Sequence, residues 1–91
     1  MDRARLVERL DAEFDGSERT LRAVSRQAQD LADSGRIADE LGYELTVETV
    51  VSNLADAPDG YSLVERWNWW IGALELSHGN YQRFHVRPDV S

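Results

Sequence analysis

Cysteine and lysine are both missing from the 91 residues. Without cysteine there are no disulfides, no thiolate zinc ligands and no cysteine nucleophile, and nothing points to an oxidising compartment. Without lysine, every one of the ten basic residues is arginine, set against seventeen carboxylates for a formal net charge of −7. Long apolar runs are also missing. The longest uncharged one, residues 69–74, is far short of the ~20 residues that cross a bilayer. Residues 1–9 are charged throughout and lack the apolar run of a signal peptide, so a cytoplasmic protein with no membrane partner is expected. There is no glycine-rich phosphate loop and no G-x-S-x-G elbow.

What is present makes one domain, residues 1–91, since a chain this short closes a single core. Such a domain buries only about 60–65% of the surface of its unfolded chain. Its three tryptophans, Trp67, Trp69 and Trp70, therefore matter, each able to bury ~150–250 Å².

Charge is uneven. Residues 1–30 carry a net −1, residues 31–60 a net −6 with Arg36 as the lone cation, and residues 61–91 are balanced. A large net charge favours solubility but makes the folded state repel itself, and molar salt shortens the Debye length to ~3 Å. A surface rich in Asp, without Lys and with only Ile37 and Ile71 as isoleucines, suits a concentrated-salt cytoplasm. A halophilic source is the reading adopted; the alternative is a GC-rich genome, which favours the same residues.

Hydrophobic spacing is helical nearly everywhere. It predicts a mainly α bundle of about five helices at 2–14, 17–34, 36–41, 47–57 and 62–78. Leu6, Val7, Leu10 and Phe14 form the first stripe; Leu21, Val24, Ala28, Leu31 and Ala32 form the second. Ser17 reads as an N-cap, and Ser62 with Glu65 as a capping box. Gly42 and Gly79 read as helix stops. Residues 43–47 alternate like a strand, while Thr46 could cap the fourth helix instead. Phe84 and Val86 alternate too, which predicts a short strand over 81–86, paired either with 43–46 or with a second subunit.

At 100° per residue, Leu63, Val64, Trp67, Trp70, Ile71 and Leu74 share one arc, the core face. Trp69, Ala73 and Leu76 lie on the opposite side. Two readings follow. Either the C-terminal aromatics Tyr81 and Phe84 fold back over that second face, or it is a protein–protein interface, most simply a homodimer.

Other constellations are weaker. Glu75 and His78 make E-x-x-H, a spacing used in di-metal bundles, but those need two copies and further glutamates. Arg19, Arg22 and Arg26 are interleaved with Glu18, Asp30 and Asp33 as an ion-paired solvated face. Residues 37–54, with Ile37-Ala38-x-x-Leu41-Gly42 followed by Thr49-Val50 and Leu54, resemble a helix-turn-helix. The would-be recognition helix carries Glu48 and Asp56 and no arginine, so nucleic acid is not an expected partner. The ordered expectations are thus an interaction module without cofactor or catalytic residues, then a helix-turn-helix regulator, then a small enzyme or metal-binding protein using Glu75 and His78.

Overall fold

In the computed structural model, which describes residues 1–87, the chain forms helices α1 (Arg3–Phe14), α2 (Glu18–Ser34), α3 (Arg36–Leu41), α4 (Val47–Ala55) and α5 (Leu63–His78), followed by a short 3₁₀ turn, Gln82–Phe84. The four longer helices each begin on a side chain that accepts a backbone N–H which would otherwise be orphaned. Asp2 accepts from Arg5, Ser17 from Thr20, Thr46 from Thr49, and Ser62 from Glu65. Thr46 thus settles the ambiguity at 43–47: residues 43–46 pair with no strand, and the helix starts at Val47. At the head of α5 the reciprocal bond is also made, Ser62 N–H donating to Glu65 at 2.8 Å.

The apolar stripes lie where helical spacing puts them. Leu6 and Leu10 of α1, Leu21, Val24, Ala28 and Leu31 of α2, and Val47, Val50, Val51 and Leu54 of α4 are buried with the inner face of α5. Helix α1 packs on α2 and α4, and α5 packs on the same two helices. Every described helix is too short or too polar to cross a membrane.

Two expectations at the ends of elements are corrected. Helix α4 stops at Ala55 rather than 57, because Asp56 and Ala57 donate to Asn53 and Leu54, three residues back, which tightens the last turn. The expected strand 81–86 does not form, and the described residues contain no strand at all. Tyr81 and Phe84 are both buried at a spacing of i, i+3, the period of a 3₁₀ turn. The alternation of Phe84 and Val86 reflects burial correctly, but without a neighbouring strand. Gly79 makes the reversal after α5, with φ 76 and ψ 163, a conformation that is essentially glycine's alone.

The hydrogen bonds from Ser62 hold the Glu65 carboxyl below the usual glutamate range. Its contribution is therefore complete above the unfolded value of about 4.3 and is lost as pH falls through the lower folded-state value. Glu65→Ala is expected to lower the thermal midpoint at neutral pH, with the gap from the native chain narrowing steadily below about pH 4. Thermal melts across that range check this.

Candidate functional site

Residues 67–70, Trp-Asn-Trp-Trp, place four side chains in four different situations. Trp67 is wholly buried, and its indole N–H donates to the Phe84 carbonyl at 2.8 Å. Asn68 lies at the edge of the core face and works as a two-pronged clamp. Its Nδ2 donates to the Val86 carbonyl at 2.8 Å, and its Oδ1 accepts from the Val86 N–H at 2.9 Å. One amide side chain thus supplies the donor and acceptor that a paired strand would have offered. Trp70 is buried edge-on to Trp67, ring centroids 5.5 Å apart. Trp69 points the other way and keeps 37% of its surface exposed.

Three of the four residues are thus committed to the interior, and Trp69 is not. Leu76, seven residues on, is 91% exposed, and Ala73 between them is exposed as well. At Gly72 an added Cβ would meet nothing within 4 Å, so the backbone itself is open there. The charged residues nearest this face are turned to internal work. Glu65 closes the capping box, while Arg66 donates to the carbonyls of Tyr61 and Leu54, each at 3.0 Å, and lies over the Phe14 ring at 5.0 Å. From Trp69 to Ser77 the outward arc of α5 is uncharged.

The chain belongs to the WNWW domain family. The match covers residues 1–75, and the four letters of the description are those of residues 67–70. No curated protein and no solved structure matches the chain. The matched span of the WNWW domain takes in α1 to α4 and nearly all of α5, but not the segment 84–86 that Trp67 and Asn68 hold.

Tyr81 and Phe84 of this WNWW domain do not cover Trp69 and Leu76. They pack beneath, where the 3₁₀ turn meets α2 and α5. Asn68 is the residue that sequence reasoning missed. The signal was an amide at the edge of an apolar arc, facing a tail whose buried residues had no pairing partner.

Glu75 and His78 tie the end of α5 to its surroundings. Glu75 Oε2 accepts from the Tyr81 N–H at 3.4 Å, and His78 Nδ1 lies 3.6 Å from Glu40 Oε2. Arg36 donates to Glu40 at 3.4 Å and sits 5.3 Å above the Tyr81 ring. Among the described residues, no group of three or more His, Asp or Glu is placed to hold a metal ion. Burial pushes the Tyr81 hydroxyl pKa up, with Glu40 adding to the effect. That hydroxyl makes no hydrogen bond of ordinary geometry to the described residues, and Glu40 and Arg36 are the charged groups beside it.

The helix-turn-helix resemblance meets α3 and α4, joined by residues 42–46. Arg9 and Arg5 of α1 both donate to Glu48 in the first turn of α4, Arg5 at 2.9 Å. Those bonds, the one from Arg9 foremost, hold the Glu48 carboxyl below its ordinary range. The second helix therefore presents a paired carboxylate where phosphate binding would need cations. On α2 the expected Glu18–Arg22 pair forms at 3.0 Å, whereas Arg26 and Asp30 form no ion pair with each other and Asp33 accepts from Gln29.

Asn68→Ala is expected to destabilise the fold by about 2–4 kcal/mol, because it leaves a backbone donor and an acceptor of Val86 unpaired. Urea unfolding measures the loss. Amide exchange at Val86 should quicken far more than exchange in α2; equal effects at both places would refute a local clamp.

Proposed function

We propose that this WNWW domain is a protein–protein interaction module, non-enzymatic and adapted to concentrated salt, whose contact face is Trp69, Ala73 and Leu76. The observation that carries the reading is the exposure of Leu76. Among the described residues it is the one large aliphatic side chain left in water, and it stands beside a part-exposed indole on the side of α5 turned away from the core. Scattered apolar residues on a surface are ordinary. Here they share one uncharged arc on a chain of net −7, with Ala73 and Gly72 between them. Covering a leucine and the remainder of an indole recovers part of the ~1.5–3 kcal/mol that each large apolar side chain gains on full burial.

A photoreactive phenylalanine analogue at Leu76 is expected to cross-link to protein, either to this chain or to another, in cells at their own salt concentration. The same analogue at Arg22, on the solvated face of α2, should not. Equal labelling from both positions, or none from position 76, would overturn the reading.

Salt adaptation is supported by the lysine-free surface and the run of acids in residues 31–60. Its expected mark is a thermal midpoint that climbs between about 50 mM and about 2 M salt as repulsion is screened. A chain equally stable at both ends sinks the idea.

A further inference from the structure

We propose that the occupant of the Trp69 face is a second copy of this chain, with α5 packed antiparallel against α5 of its partner across a two-fold axis that passes between Gly72 and Ala73. The proposal rests on the interaction reading above and goes beyond it in partner and geometry. Its basis is the order of side-chain sizes along the open arc, which runs large, small, small, large at Trp69, Gly72, Ala73 and Leu76. That order is nearly palindromic about the midpoint of residues 72 and 73, and self-complementarity is what a two-fold interface demands.

At 1.5 Å per residue, Trp69 and Leu76 stand about 10 Å apart along the helix. An antiparallel copy then lays the indole of each Trp69 over the partner's Leu76. Gly72 and Ala73 face their counterparts at the crossing. The open space beyond Gly72 lets the two helices approach to the near end of the 8–10 Å range for packed helices.

The parallel arrangement is worse on three counts. It sets indole against indole and leucine against leucine, leaving the small residues to face a gap. It places the Glu65 carboxylates of the two copies at the same level. It also aligns the helix dipoles, whereas antiparallel packing brings the positive end of each helix to the negative end of the other.

Charge separates a second copy from a cationic partner. Two chains of −7 repel each other at long range, so they can meet only where carboxylates are absent, and the outward arc from Trp69 to Ser77 is such a place. An arginine-rich partner would be drawn instead to residues 31–60 and would gain nothing from this arc. The two alternatives therefore carry opposite salt signatures. Self-association tightens as salt rises, and binding to a cation weakens. The contact is small, built around one helix face, and belongs with weak, concentration-dependent dimers rather than obligate ones.

The cysteine-free chain permits a clean test. Sedimentation of the native chain over a wide concentration range should show a monomer–dimer equilibrium whose dimer fraction grows with salt, and Trp69→Ala should reduce that fraction to background while its helical circular dichroism stays native. Single cysteines at Ala73 and at Ser77 then report the geometry under mild oxidation. Ala73→Cys lies beside the axis and should form a disulfide-linked dimer. In the antiparallel pair, residue 77 lies about 13 Å along the axis from its own copy, so Ser77→Cys should stay at background. A native dimer that cross-links at both positions, or at neither, overturns the antiparallel crossing and leaves the interaction reading standing. A chain that stays monomeric throughout, or a dimer fraction that falls with salt, overturns self-pairing, and labelling of a foreign protein from position 76 would then identify the occupant as a different chain.

Discussion

A fully buried indole N–H has a large desolvation penalty unless something accepts from it, and in this domain the Phe84 carbonyl does so at 2.8 Å. That bond fixes where the chain must go after α5. The backbone has to double back at Gly79, bury Tyr81, bring the Phe84 carbonyl to Trp67, and run on so that Val86 meets Asn68. The burial of Trp67, the end of α5 and the course of the tail are thus a single constraint seen from three places. In a domain of this size that economy matters, because the core alone leaves little margin.

The constraint also explains why the two faces of α5 differ. With residues 81–86 drawn to the inner side by Trp67 and Asn68, no chain among the described residues is left to cover Trp69 and Leu76. Their exposure follows from the tail being used elsewhere.

Helix positions were legible because their causes are local. The stripe Val47, Val50, Val51, Leu54 marked α4 in spite of its β-branched valines, since burial of all four outweighs their strand preference. Ser17, Thr46 and Ser62 announced helix starts, and Gly42 and Gly79 announced stops, by chemistry confined to a few residues. The tail was misread for the opposite reason. Its alternation of Phe84 and Val86 is what a strand shows, but the partner that decides the matter is a side chain at position 68, eighteen residues upstream of Val86. The links from Arg5 and Arg9 to Glu48 were hidden in the same way, since nothing in two segments some forty residues apart says that α1 and α4 will adjoin. For the outward face the arc of Trp69, Ala73 and Leu76 was readable from helical periodicity, while the choice between covered and open was not, because it hung on the tail.

The edge-to-face contact of Trp67 with Trp70 has a spectroscopic consequence. Two indoles held rigidly 5.5 Å apart couple their electronic transitions, so the folded chain carries a chiral signature in the ultraviolet that vanishes when the pair separates. Trp69, part-wetted on the other side of the same helix, emits from a different environment and is open to collisional quenchers that cannot reach its neighbours. The chain therefore bears two built-in reporters, one sensitive to melting of the interior and the other to whatever comes to rest on its surface, and they can be followed in one cuvette without a label.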